Sequence, residues 1–390
     1  MTSPLEGANV SKWAGKYVIG LTGNIGTGKS LVRRMLEHLG AYGIDADALA
    51  HRAIGKGAPG YDLVIQQFGQ WVVGEDGQIN RAKLGRLVFG DPAALKALED
   101  IVHPLVNQAL DFIIKRVKHK VIVIEAIKLF ESDLVNVCDR FWVTYAPHDV
   151  QLKRLVNKRK MTEADAWQRI LNQAPQEEKV KKAHVVIKNV GSVEDTWKMV
   201  FAAWNKIGAA TTTPAKETTQ RKVQSQMGEL TVKRGNPSNA QEIAELYNRL
   251  SSGGKKMSRV DVVEAFGEKA FLVLRAGEKV VGLIGWQVEN LVARTTDLIF
   301  DPALKLDKAV PLLVDEMERA SKELQCEASL LFITPSLASE QKIWIDMGYE
   351  HRSPQTLSVM AWQEAARESM PPGSVLFFKQ LRTDRILRPI

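Results

Sequence analysis

Cysteine is almost missing from this chain: of 390 residues only Cys138 and Cys326 are cysteines, and they fall in different halves. A disulfide framework is thereby excluded, and two idle thiols in a reducing cytosol are expected. Long apolar runs are also missing. No stretch reaches the roughly 18 consecutive apolar residues of a membrane-spanning helix, so no transmembrane segment or membrane partner is expected. The stretch MTSPLEGANVSKWAGK has no apolar h-region, so secretion is not expected and a cytoplasmic location is. Charge of one sign is not concentrated either. Lys and Arg number 53 against 45 Asp and Glu, a net charge of +8. They are spread along the chain in short clusters such as Lys158-Arg159-Lys160. That balance suits phosphorylated small molecules as well as nucleic acid, and solvated basic faces are the common case, so no nucleic-acid partner is expected.

What is present is an ordinary globular composition, 45% hydrophobic and 25% charged. The length exceeds what one core usually serves, so two domains are expected. Residues 208–228 read GAATTTPAKETTQRKVQSQMG. With so little large apolar surface they are expected to form a flexible linker between domains at 16–207 and 229–390. The halves show no internal repeat, and the oligomeric state is left open.

The first half alternates apolar runs with helical spacing. Strands are expected at Tyr17–Thr22, Val121–Ile124, Arg140–Tyr145 and Val185–Ile187. Helices are expected at Ser30–Leu39, 92–118, 148–158 and 163–174. Strands separated by helices imply an α/β fold, a three-layer αβα sandwich around a parallel sheet. Between the first strand and helix stands Gly23-Asn24-Ile25-Gly26-Thr27-Gly28-Lys29-Ser30, which fits the phosphate-loop pattern G-x-x-x-x-G-K-[ST]. Glycines let backbone N–H groups curl round phosphates, and the helix N-terminus adds positive partial charge. Lys29 is expected to reach the β- and γ-phosphates of ATP, and Ser30 to ligate Mg²⁺. Glu125 ends the second buried strand, where a carboxylate can orient Mg²⁺ through water.

Ordered motifs continue beyond the loop: Gly43-Ile44-Asp45-Ala46-Asp47, Phe68-Gly69, Asp76-Gly77, Arg81-x-x-Leu84, Val88-Phe89 and Leu98-Glu99-x-Ile101-x-His103-Pro104-Leu105-Val106. Leu129-Phe130-Glu131, Ala146-Pro147, Gln151-Leu152-Lys153-Arg154-Leu155 and Val186-Ile187-Lys188-Asn189-Val190-Gly191 follow. In order and spacing, residues 17–207 resemble the dephospho-coenzyme A kinases, P-loop enzymes that use Mg·ATP to phosphorylate the ribose 3′-hydroxyl of dephospho-coenzyme A. The resemblance places Asp47 where the family has the base for that hydroxyl. A carboxylate there accepts the proton and orients the oxygen for in-line attack. From the residues alone, Asp47 serves equally well to cap a helix starting near Ala48. Arg154 matches the family's first lid arginine. The second is Lys158 here, followed by Arg159, and a Lys lacks the planar fork. A solvated basic face is the other reading of Lys158 and Arg159. His103 either shapes the acceptor site or simply packs.

Departures from the family pattern fall on the acceptor and lid sides: Lys128 in a segment that is normally apolar, Gly85 in place of an arginine with Arg86 following, and Ala183-His184 in place of Ala-Asp. The phosphate loop is intact.

In the second half, strands are expected at Leu230–Arg234, Ala270–Arg275, Lys279–Val288, Thr295–Phe300, Ser329–Ile333 and Val375–Leu381. Helices are expected near 308–324 and ending at Trp344–Tyr349. This order resembles the α+β GNAT acetyltransferase fold. That family cradles a pyrophosphate with a loop patterned [QR]-x-x-G-x-[GA], whereas Asp301-Pro302-Ala303-Leu304-Lys305-Leu306-Asp307-Lys308-Ala309 has no glycine. Side chains would obstruct the backbone and Asp307 would repel the ligand, so a domain without acetyl transfer is expected, with Lys305 and Lys308 keeping acyl-coenzyme A binding open. Trp286 and Trp344 are expected to be core. The leading reading is a dephospho-coenzyme A kinase with an appended GNAT-like domain. The alternatives are a catalytically weakened nucleotide or coenzyme A sensor, or a GNAT-type acyltransferase on a kinase-fold scaffold.

Overall fold

The computed structural model describes residues 12–207, 223–225, 228–250, 256–289 and 291–383. In the first half the order is β1 (Tyr17–Thr22), α1 (Lys29–His38), β2 (Tyr42–Asp45), α2 (Ala46–Ala53), α3 (Tyr61–Phe68), α4 (Arg81–Gly90), α5 (Pro92–Arg116), β3 (Val121–Glu125), β4 (Arg140–Tyr145), α6 (His148–Arg159), α7 (Glu163–Leu171), α8 (Gln176–Lys181), β5 (Val185–Lys188) and α9 (Val193–Ile207). In the second half follow β6 (Val223–Ser225), β7 (Gly228–Arg234), α10 (Ala240–Leu250), α11 (Arg259–Phe266), β8 (Ala270–Ala276), β9 (Lys279–Glu289), β10 (Val292–Phe300), α12 (Leu306–Glu323), β11 (Ala328–Ile333), α13 (Pro335–Ala338), α14 (Gln341–Asp346), β12 (Glu350–Arg352), α15 (Met360–Ser369) and β13 (Val375–Gln380).

Packing divides the chain into two compact units that interleave in sequence. One comprises residues to Ile44, Lys118–Gln287 and Thr295–Arg319; the other comprises Asp45–Val117, Val288–Arg294 and Ala320 onward. This division cuts across the one expected from composition at 208–228. Of that expected linker, 208–222 and 226–227 lie outside the described residues, and Val223–Ser225 form β6, paired antiparallel with β7 from Val223↔Leu230 to Ser225↔Gly228. That pairing satisfies backbone groups of these three residues.

The first unit contains a five-stranded sheet in the order β2-β3-β1-β4-β5. The pairings of β1 with β3, β1 with β4 and β4 with β5 are parallel, as the helical crossovers require. Ile19 and Leu21 of β1 share one face and pack on Val32, Met35 and Leu36 of α1 and Val200 of α9, all fully or nearly buried. The first half supplies β2 beyond the expected strands. Helix α7 stops at Leu171 rather than 174, because Gln173 and Ala174 serve the phosphate loop and Pro175 follows. The same unit holds the antiparallel ladders β6-β7-β8-β9. Val193 of α9 packs against a cluster built from Ile243, Val262, Phe266 and Phe271, so residues on both sides of the expected linker share apolar contacts. Trp286 is 2% exposed, as expected of core.

In the second unit α5 runs 25 residues from an N-cap at Asp91, whose side chain accepts from Ala93 N and Ala94 N, and tolerates Pro104 within it. Strands β11, β13 and β12 pair antiparallel, and Trp362, Leu330 and Leu376 fill a core beside them. Trp344 is fully buried and donates to Leu337 O at 2.9 Å. Helices α13 and α15 here, and α10 and α11 in the first unit, are additions to the sequence expectation. Both cysteines are buried free thiols; desolvation pushes Cys138 up to about 12 and raises Cys326 as well. Among the described residues, no helix is long and apolar enough to cross a membrane.

Candidate active site

At the C-terminal end of β1 the chain turns into a loop that needs glycine at specific positions. Gly23, Gly26 and Gly28 have φ of 150°, 74° and 95°. A Cβ on Gly23 would fall on the Thr144 hydroxyl, and one on Gly28 on the Asn189 amide nitrogen. Gly28 also precedes α1 and, having no side chain, supplies no side-chain cap to that helix. Such a helix start favours an anion.

The loop is fastened from behind. Asn24 Nδ2 donates to Ala174 O at 2.9 Å, and Ile25 N donates to Gln173 Oε1 at 2.7 Å. Thr27 Oγ1 donates to Asn24 O at 2.7 Å and lies 2.7 Å from Thr144 Oγ1. Buried Asn189 donates from Nδ2 to Thr27 O at 2.9 Å and accepts from Thr196 Oγ1 at 2.9 Å. Arg154 closes the circle, with Nη1 donating to Gly26 O at 3.1 Å and Nη2 to Asn189 O at 2.9 Å. Partial desolvation lowers the pKa of this guanidinium from its ordinary value, and arginine stays charged nonetheless. Its fork therefore supports the loop backbone. Lys158 and Arg159 sit exposed in the last turn of α6, where cations complement the helix dipole.

Inside the loop, Lys29 is buried and its Nζ donates to Asn24 O at 3.3 Å. Ser30 Oγ donates to Glu125 Oε1 at 2.9 Å. The other oxygen of Glu125 accepts from Arg33 Nε at 2.7 Å, and Arg33 Nη1 reaches Glu37 at 2.6 Å. Glu125 is 4% exposed, and a buried carboxylate needs such a cation. Arg33 and Asn189 were not singled out from the sequence as functional. The usable signal for Arg33 is its place three residues after Ser30, on the same face of a helix.

Asp47 belongs to the second unit, in the first turn of α2. The cap of that helix is Asp45, whose Oδ1 accepts from Ala48 N at 2.9 Å. The capping role weighed for Asp47 is therefore filled by another residue. Asp47 is partly exposed, and its charge opposes a desolvation that lowers the pKa of His51 one turn on.

A family model described as dephospho-CoA kinase matches residues 17–195. The dephospho-CoA kinase of Carboxydothermus hydrogenoformans is 43% identical over 195 residues, covering 48% of this chain and 93% of that protein. The chain belongs to the dephospho-CoA kinase family. Among solved structures, a dephospho-CoA kinase from Campylobacter jejuni is 27% identical with a TM-score of 0.34, covering 50% of this chain and 98% of its own. PaiA N-acetyltransferase from Thermoplasma acidophilum, solved with coenzyme A, is 12% identical with a TM-score of 0.30, covering 39% and 98%.

The departures from the dephospho-CoA kinase pattern have local explanations. Lys128 projects as an exposed residue while Leu129 beside it is fully buried, so the charge stays out of the core. His184 accepts from Phe141 N through Nδ1 at 3.0 Å, a bond that a carboxylate would make equally well. Gly85 lies within α4, and Arg86 is exposed, with Nε donating to Ala82 O at 3.3 Å. His103 lies partly buried on α5, one residue before Pro104.

Proposed function

We propose that this chain transfers the γ-phosphoryl group of ATP to the 3′-hydroxyl of dephospho-coenzyme A, giving coenzyme A, and that Gly23–Ser30, Glu125, Arg154 and Asp47 carry the reaction. The observation that carries this reading is the seating of Ser30 against Glu125 beside buried Lys29, in a glycine loop whose backbone is clamped. Gly23, Asn24, Ile25, Gly26, Thr27 and Gly28 wrap the phosphates with backbone N–H groups, and the Lys29 ammonium neutralises charge on the β- and γ-oxygens.

Ser30 Oγ and the Glu125 carboxylate are two hard oxygen donors, a set that fits Mg²⁺ completed by phosphate oxygens and water. When bound, Mg²⁺ supplies charge neutralisation at the transferring phosphoryl group. Asp47 accepts the proton of the attacking 3′-hydroxyl. Arg154 keeps the loop in shape, and Lys158 and Arg159 supply positive charge for the phosphates from the exposed end of α6.

Residues 16–207 are proposed as the kinase domain, 208–228 as the connection and 229–390 as a GNAT-like domain without acetyl transfer. Asp301, at the start of its glycine-free loop, is held by Arg249 at 3.4 Å and Lys279 at 3.7 Å, which leaves a carboxylate where an anion would have to sit. A cytoplasmic location accords with the two free thiols. The decisive experiment is incubation of purified protein with Mg·ATP and dephospho-coenzyme A, with coenzyme A measured by mass. Absence of product under conditions where ATP binds would favour the nucleotide-sensor alternative.

A further inference from the structure

Glu327 belongs to the second half of the sequence and lies immediately before β11 with no exposed surface. Its backbone is committed on both sides. Its N–H donates to Leu291 O at 2.7 Å, and its carbonyl accepts from Leu381 N at 2.9 Å and Arg382 N at 3.3 Å. Its Oε2 accepts from Arg52 Nη2 at 3.1 Å, and the Arg52 side chain is 12% exposed. Arg52 stands in the last turn of α2, the eight-residue helix whose first turn carries Asp47. A fixed acceptor in the second half thus grips one end of a short helix whose other end bears the carboxylate assigned to the acceptor hydroxyl.

Two physical points give this pair a meaning beyond stability. A buried ion pair is seldom a better stabiliser than apolar residues of the same volume, because desolving both charges offsets their attraction. What it does supply is direction, since the guanidinium fork accepts a carboxylate only in narrow geometry. In phosphoryl transfer the reacting oxygen and its base must be aligned closely, and a shift of about 1 Å is enough to lower the rate by about 10²-fold.

We propose that Glu327 is a positioning residue for the kinase reaction: through Arg52 it sets the orientation of α2 and so of Asp47. The second half then contributes to catalysis without touching either substrate. The inference rests on the reading of Asp47 as the base, and its test separates the two.

In the full chain, the ion pair is replaced by the apolar double substitution Arg52→Met/Glu327→Leu, with and without Asp47→Asn, and kcat, the KM for ATP and the melting temperature are measured. The expected result is a melting temperature close to that of the unsubstituted protein and a KM for ATP within about twofold. The expected kcat is lower by about tenfold or more. In the Asp47→Asn background the double substitution adds no further loss, because both act on one element. An unchanged kcat, or the same loss factor in both backgrounds, overturns the positioning role. If the double variant does not fold, Arg52→Lys, which keeps the charge and loses the fork, is judged by the same two criteria. Asp47→Asn alone turning over at the full rate overturns the base assignment itself, and this proposal with it.

Discussion

Ser30 and Glu125, 95 positions apart, are joined by a hydrogen bond of 2.9 Å from the hydroxyl to Oε1, while Arg33 holds the other oxygen at 2.7 Å. The carboxylate is thus divided between one oxygen facing Ser30 and one held by Arg33. Glu125→Gln keeps the shape and removes the charge. Turnover is expected to fall about tenfold or more, with a higher Mg²⁺ concentration needed for half-maximal rate, as for a lost carboxylate contact to the ion's shell. A Mg²⁺ titration of the kinase rate checks this; an unshifted titration would remove Glu125 from the metal site. Glu125→Ala should in addition destabilise by about 1–3 kcal/mol, because buried Arg33 loses one charged hydrogen-bond partner while keeping Glu37.

Asn189 joins the loop at Thr27 to Thr196 and Arg154. Asn189→Ala removes three hydrogen-bonding functions from a buried network and is expected to cost about 1–3 kcal/mol. Because the lost bonds hold the loop, the KM for ATP should rise more than the KM for dephospho-coenzyme A. Equal changes in the two constants would show a general loss of fold.

Asp45 and Asp47 sit two residues apart and should fail differently. Asp45→Ala removes the cap of α2 and is expected to lower stability by about 1 kcal/mol. Asp47→Asn is expected to lower kcat by about 10²-fold while leaving ATP affinity and melting temperature nearly unchanged. Kinetics and melts on the two single variants decide the matter. A near-normal kcat for Asp47→Asn leaves the base to be found elsewhere.

His38 and His119 are expected to make the stability of the fold depend on pH in the acid range. Burial, reinforced by the nearby positive charge of Arg234, pulls each imidazole down to about 4. Arg34 also faces His38, and Lys16 faces His119, while His38 Nε2 stands 3.0 Å from Phe266 O. Both rings are neutral in the folded protein near neutral pH. Between the ordinary histidine value of about 6.5 and about 4 the unfolded chain takes up protons that the folded chain refuses. Their stabilisation is therefore complete above about 6.5 and is lost as the pH falls toward 4. The melting temperature should drop on going from pH 7 to pH 5, and His38→Gln should show a shallower drop over the same interval. Parallel slopes for the two proteins would exclude His38 as a source of the sensitivity.

The phosphate loop was legible because its requirements are local. Eight consecutive residues with glycines at Gly23, Gly26 and Gly28 specify a backbone path that few other residue types can follow, and the flanking strand and helix are set by their own apolar spacing. The alternation of strands and helices likewise specifies a parallel sheet, and the ordered motifs point to the kinase family from the sequence alone. Asp47 was legible only as one of two roles, since a helix cap and a base ask for the same carboxylate. The choice of cap fell to Asp45 when the start of α2 was seen to be Ala46. Tertiary structure alone decided the partners: Glu125 for Ser30, Asn189 for Thr27 across 162 positions, and Glu327 for Arg52 across 275. Composition predicts where a chain is too polar to form a core, and on that ground 208–228 is expected to be a linker, a stretch that lies largely outside the described residues. It carries no information on which distant apolar faces meet, and the packing of Val193 beside Phe266 follows from surfaces that exist only once both halves have folded.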